Sequence, residues 1–375
     1  MSTSMNPAPQ DEKLENAIEL KDVAGLSQGQ IVRRRFFRHK GALIGLAVLV
    51  AIIVLSYSSM GIGPIPGWWG HTGGPERAIT NPGGSPTLSL PTWLGGDGFV
   101  IGEHPFGQDE IGRDIFAQVM LGTQTSLKVM AIISLVACVL GVTVGSLSGF
   151  FRGRADTLLM RSTDLVITIP TIVVGAVLGR IFGGISSSLF AVFLGVVLWP
   201  SLARLVRGEF LTLREREFVD AARVAGASSA RIIFKHILPN AIGVIIVSTT
   251  LLMSTAILLE TALSFLGFGI LPPEVSLGRL ISEYQSAFST RPWLFWWPGL
   301  FIVLIALSVN FIGDGLRDAF DPRQKRIPTQ RKMDRAQRMD RAQVPAVLGS
   351  EQGRAAAPGV PPSQAGPETL GPQGL

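Results

Sequence analysis

Few side chains in this 375-residue chain have types and spacings that could do chemistry. The one cysteine, Cys138, lies in an apolar run, where a free thiol behaves as a small hydrophobe. A disulfide framework within the chain and a cysteine-based zinc site are therefore excluded. His39, His71, His104 and His236 are scattered without ligand spacing, so no metal site is expected. No G-x-x-x-x-G-K-[ST] is present, so no P-loop nucleotide site is expected on this chain. G-x-S-x-G and H-E-x-x-H are also missing, and no catalytic residue is assigned.

The remaining candidates are charges in unusual company. Asp109-Glu110-Ile-Gly-Arg113-Asp114 is a charged cluster just before a long apolar run. It shapes an outer mouth or touches an outer protein partner, or else forms a short helix on the outer surface. Arg161 and Asp164, three apart, share a helix face and are expected to pair. Glu260 is the one charge in its apolar run, where a carboxylate costs roughly 3 kcal/mol. It lies about 29 Å along a helix begun at Ala241, close to the outer interface. It is expected there either solvated or bonded to a neighbouring helix. Asp109, Arg113, Asp114 and Glu260 are thus candidates for an outer gate or for structural roles.

The elements that must position these residues are apolar blocks. Residues 41–60 carry no formal charge and form about 30 Å of helix, a bilayer's thickness. The block is too long and starts too late for a signal peptide, and reads as an uncleaved first span. Further blocks fall near 123–150, 163–179, 189–203, 241–265 and 296–312. The expectation is an all-α membrane protein of six transmembrane helices. It divides into a cytoplasmic N-terminal segment 1–40, the span 41–60, an outer loop 61–121 rich in Gly, Pro and Trp, a core 122–317 with five spans, and a mostly disordered cytoplasmic tail 318–375. Gly141, Gly145 and Gly149 recur every four residues, which permits close helix packing. Trp293, Trp296 and Trp297 read as an interfacial aromatic belt.

Charge fixes the expected orientation. Of 33 Lys and Arg, 27 lie on segments that share a side with the N-terminus, five lie opposite, and Lys128 lies within a span. The positive-inside rule then places both termini in the cytoplasm. Omitting everything beyond Arg317 leaves 18 against five. The net charge of +6 is a topology signal, and no nucleic-acid partner is expected.

Segment 204–240 is long for a connector. It is rich in helix formers up to Ala225. Gly226 then breaks the run, Ser228 and Ser229 can cap a second short helix through Ile233, and Pro239 ends it. Its apex, 222–230, is made of small residues that would let a backbone sit deep in a partner's groove. A helix lying on lipid, with Arg214, Arg216 and Arg223 at the headgroups, explains the residues equally well.

Asp220-Ala221-Ala222, Gly226 and Leu238-Pro239 resemble the EAA loop of ABC-importer permeases, with Asp220 where Glu is usual and His236 where Ile is usual. His104-Pro-Phe-Gly107, Asp109–Asp114, Leu263-Ser-Phe-Leu-Gly267 and Gly313-Asp-Gly-Leu-Arg-Asp318 are similar to the dipeptide, oligopeptide and nickel branch, second permease subunit. The similarity runs from about 30 to 325.

The resemblance implies a type I importer permease fold in a prokaryotic inner or plasma membrane. It implies a second permease subunit as partner in a heterodimer, two cytoplasmic ATPase subunits, and an extracytoplasmic substrate-binding protein. ATP and magnesium would sit on the ATPases, with no cofactor on this chain. Glu217, Asp220, Ala221, Ala222, Gly226, Ala227, Ile232, His236, Leu238 and Pro239 would form the ATPase coupling site. Di- or oligopeptides are the expected cargo. The alternatives are nickel or another small solute, or a secondary transporter.

Overall fold

The computed structural model describes residues 28–71, 74, 79–89, 92–94, 98–182, 184 and 186–321. The expected disordered tail lies outside the described residues, apart from its first four positions.

An amphipathic helix α1 (Gln28–Phe36) leads into α2 (Lys40–Met60), which His39 caps by accepting the Ala42 amide at Nδ1. Gly61–Pro66 opens the expected outer loop, where its glycines and prolines disfavour a helix. It folds as a two-residue hairpin, β1 (Gly61–Ile62) against β2 (Ile65–Pro66). The central element is α3 (Ile115–Phe151), 37 residues and roughly 55 Å long. It begins eight residues earlier than expected because Asp114 caps it, with Oδ2 accepting the Ala117 amide at 2.9 Å.

The expected third and fourth spans are each broken. α4 (Gly153–Thr168) and α5 (Thr171–Phe182) meet at 78°, while α6 (Ser187–Leu198) and α7 (Pro200–Arg214) meet at 46°. The signals were present in the sequence. Pro170 forces Ile169 out of the helical region, to φ −86 and ψ 125, and Pro200 can only start a helix. After α7 come α8 (Glu217–Val224), the single turn α9 (Ser229–Arg231), a π-helical stretch Ile232–Ile237, and α10 (Leu238–Phe265). α11 (Leu277–Tyr284) and α12 (Trp293–Phe320) complete the order.

α2, α3, the run Ser229–Phe265 and α12 are each long and apolar enough to cross a bilayer; counting each bent pair as one span gives six. Only 22% of the most apolar window of α2 is buried within the chain. Ile44, Val50, Ile53 and Val54 face outward. An apolar helix so little covered by its own chain leaves that surface for lipid or for another chain.

α3 packs on α7, α6, α10 and α2, and α12 packs on α2 and α10. Two apolar clusters sit toward opposite ends of α3. The larger joins Ile115–Ile133 of α3 to α6, α10, α11 and α12; the smaller gathers Phe150, α7 and the residues that follow it. Trp297 stacks on Phe106 at 3.8 Å, and Trp293 lies against Gly107, so only Trp296 of the expected belt is exposed.

Candidate functional site: the 204–240 arm and the Asp109 cluster

Leu202, Ala203, Val206 and Phe210 form the buried stripe of α7. The small residues of α3 receive it. A Cβ added to Gly145 would lie 2.5 Å from the Ala203 carbonyl oxygen, and one on Gly149 would lie 2.7 Å from Phe210 Cβ. The four-residue glycine spacing is therefore the seat of the arm. The helix expected to run on to Ala225 stops at Arg214. The Arg214 guanidinium donates to the Phe150 carbonyl and lies 5.6 Å over the Phe150 ring, while Glu215 pairs with Arg152 at 2.7 Å. Both side chains are tied to the end of α3, and the chain turns between them and α8.

α8 places acidic Glu217 and Asp220 in its first turn and Arg223 in its last, the polarity the helix dipole favours. Asp220 and Arg223 pair at 2.7 Å, both exposed, which contributes little. The helix ends in a Schellman motif. The Ala227 amide donates to the Ala222 carbonyl at 3.0 Å and the Gly226 amide to Arg223 at 2.9 Å, with Gly226 at φ +77. Ala222 and Ala227, the pair flanking the turn, both lean on the smaller cluster. Ser228 then caps α9, its hydroxyl accepting the Arg231 amide at 3.4 Å.

Pro239 does not end this helix. The helical run is continuous from Ser229 to Phe265, because the π turn rearranges the hydrogen bonds. The Leu238 amide donates to the Ile233 carbonyl, five residues back, and Pro239 falls where no amide donor is needed.

Val219, Ile232, Ile233 and Ile237 are buried against Phe150, Val206 and Phe210. At roughly 1.5–3 kcal/mol per fully buried side chain, they outweigh the ~1 kcal/mol entropic cost of a glycine turn. Glu217, Asp220, Ala221, Gly226 and Pro239 are exposed; His236 and Leu238 are half-buried, and Ile232 is buried. Exposed apolar side chains at this end, which sequence reasoning missed, include Phe218, Val224 and Phe234, with Val224 90% exposed. Phe218 beside buried Val219 and Phe234 beside buried Ile233 were the available signal; Val224 has no buried neighbour in sequence and offered none.

At the other end of α3 the charged cluster is a tight loop, not a surface helix, closed by a bridge between Gln108 and Asp114. Asp109 is buried. Its Oδ1 accepts the Ile111 and Arg113 amides at 3.0 and 2.8 Å, and its Oδ2 accepts from Arg113 Nε and the Tyr284 hydroxyl. Asp114, also buried, accepts from Trp69 Nε1 at 2.8 Å and bonds His104 Nδ1 at 2.9 Å. Arg113 reaches Glu283 as well. Burial opposes its charge, but the bonds to Glu283 and Asp109 outweigh that and raise its pKa above the ordinary arginine value. Burial and the neighbouring Asp109 charge push the Tyr284 phenol above its usual range. Arg113 lines a cleft of about 440 Å³ together with Gln118, Pro272 and Arg279.

Glu260 is 1% exposed, so the solvated reading is overturned. Its carboxylate accepts from Ser264 at 2.8 Å and Ser126 at 3.3 Å, and Ser126 in turn accepts the Leu277 amide. It therefore fastens α3, α10 and the start of α11 together. The Arg161–Asp164 pair does not form; Asp164 pairs with Arg204 of α7 at 2.5 Å.

The sequence profile of the binding-protein-dependent transport system inner membrane component matches residues 141–326, which contain the whole arm. That of the N-terminal TM domain of oligopeptide transport permease C matches 27–64. A peptide permease protein of Brucella ovis is 38% identical over 304 residues, covering 79% of this chain and 92% of its own. The oligopeptide transport system permease protein OppC of Mycobacterium tuberculosis is 35% identical over 302 residues, covering 80% and 97%. That of Haemophilus influenzae is 34% identical over 316 residues, covering 84% and 94%. The chain belongs to the binding-protein-dependent transport permeases. As a member of that family it is a multi-pass membrane transport subunit, and the apolar spans, the glycine seat of the arm and the capped turn at Gly226 are features of this permease.

Proposed function

We propose that this permease is one transmembrane half of an ATP-driven importer of di- or oligopeptides, coupled through 217–239 to a separate ATPase. The cargo follows that of the relatives, two of which are oligopeptide transport permeases. Six spans with both termini cytoplasmic follow from counting each bent pair once and from the Lys and Arg distribution. The arm then lies on the cytoplasmic side, and the Asp109 cluster lies on the outer side, where a binding protein would deliver cargo. A second permease would close the path, and ATP with magnesium would bind the ATPases.

The observation that carries this reading is the arm's build. Its buried side is fixed to α3 and α7, and its exposed tip is Ala221, Val224, Ala225 and Gly226. A tip so fixed transmits displacement. Val219 and Ala222, which a helix lying on lipid would turn to the bilayer, are packed on the smaller cluster instead, and Phe218, Ala221, Val224 and Ala225 are what α8 offers to a partner.

Pull-down of the full chain from solubilised membranes tests the reading. Wild type is expected to bring down an ATPase and a second permease. Ala225→Arg, at an exposed position with ordinary backbone angles, is expected to lose the ATPase and keep the permease. Recovery of folded wild type without an ATPase would contradict the proposal.

A further inference from the structure

α4 is held in an unusual way. Among its described residues only Thr163 is fully buried, and Leu158 and Leu165 are more than 70% exposed. Its firm ties to the arm are polar. Arg152, at the turn before α4, pairs with Glu215 at 2.7 Å. Asp156 takes a two-pronged fork from Arg207, at 2.6 Å from Nε and 2.7 Å from Nη2, and a further bond from the Ser148 hydroxyl. Asp164 takes Arg204 at 2.5 Å. The numbers fall along one helix as they rise along the other; the first pair sets a cation of the 152–164 side against an anion, and the other two set an anion against a cation. This is an antiparallel ladder of three pairs between α4 and α7.

Any one exposed pair contributes little. Three spread over both helices, one of them a bidentate fork, fix the relative orientation of the two. The turn that starts the ladder is itself constrained. Arg152 sits at φ +57 and ψ −166, a region that side chains rarely adopt and that persists only when the surroundings impose it. At its far end α4 meets the 78° break into α5, where Gly175 lies against Leu263 of α10.

We propose that Arg152, Asp156 and Asp164 are positioning residues that strap α4 to α7, so that α4 moves as one body with the arm and the 169–170 break takes up the motion against α5. This rests on the coupling reading above and adds the element that carries the arm's displacement into the bent pair.

The test uses the full chain with its co-purified subunits in lipid nanodiscs, carrying Cys138→Ser. Nitroxide labels on Leu158→Cys of α4 and Thr212→Cys of α7 report the distance between the helices. With the ladder intact, one narrow distance is expected both without nucleotide and after trapping with ATP, magnesium and vanadate. Asp156→Asn with Asp164→Asn is expected to add a second, longer population. The swap Asp156→Arg with Arg207→Asp is expected to restore the single one, which a misfolded chain would not do. If the neutralised pair cannot be recovered folded, Arg207→Lys keeps the charge but not the fork, and is expected to broaden the distribution.

A narrow, unchanged distance in the neutralised chain would overturn the strap. So would a wild-type distance that differs between the two nucleotide states. Folded wild type that co-purifies no ATPase is a different failure: it contradicts the coupling reading, and this proposal falls with it.

Discussion

Gly226 and Glu260 show how single residues set the two ends of this molecule. A Cβ at Gly226 would meet nothing within 4 Å, so its replacement acts through the backbone alone. Gly226→Ala is expected to cost about 1 kcal/mol at φ +77. The Ala227 amide, bonded to Ala222, should then exchange roughly five times faster in hydrogen-exchange measurements; an unchanged rate would mean the Schellman turn is absent. Glu260→Leu removes the acceptor for Ser264 and Ser126 in a buried site and is expected to cost about 1–3 kcal/mol. Glu260→Gln keeps an acceptor and should lose less, as thermal unfolding in detergent would show. The Gly226 turn and the Ser228 cap were legible because local chemistry decides them. The surroundings of Glu260 were legible only at Ser264, four residues on along the same helix; Ser126 and the start of α11 come from other elements, and periodicity along one helix carries no information about them.

Helices here are seated by what they lack. Gly145→Ala would press a methyl group toward the Ala203 carbonyl and part α3 from α7, a change expected to destabilise by about 1–3 kcal/mol. Gly208 of α7 has open space around it, so Gly208→Ala should be neutral or stabilising by about 0.5–1 kcal/mol. Unfolding midpoints of the two variants should move in opposite directions or at least differ clearly; equal shifts would remove the packing argument. The glycine spacing was readable in advance because it repeats at the helical period. The breaks at Pro170 and Pro200 were equally present in the sequence but were overridden by hydropathy, which sees composition and not backbone angles. The arm's break at Arg214 had no local signal, since helix formers continue through it and only Phe150 and Arg152, sixty residues earlier, impose the turn.

For the whole chain, the central claim is that the two ends of α3 face different compartments and that the Gly226 end meets an ATPase. The distribution of Lys and Arg, 27 against five, is what sets the expected orientation. In a Cys138→Ser background, a cysteine at Trp93, 79% exposed, should react with an impermeant maleimide in intact cells, and one at Val224 only after permeabilisation. The reverse pattern would invert the topology. The apolar spans were the most legible elements, because a bilayer imposes a length rule that applies without knowledge of packing. The most direct measurement is cross-linking from Ala225→Cys in that background, with a short reagent that is thiol-reactive at one end and photoactivated at the other, in native membranes. The account predicts an adduct with an ATPase subunit at 225 and none from Trp93→Cys. Adducts with lipid alone at 225, in membranes where the ATPase is present, would contradict it.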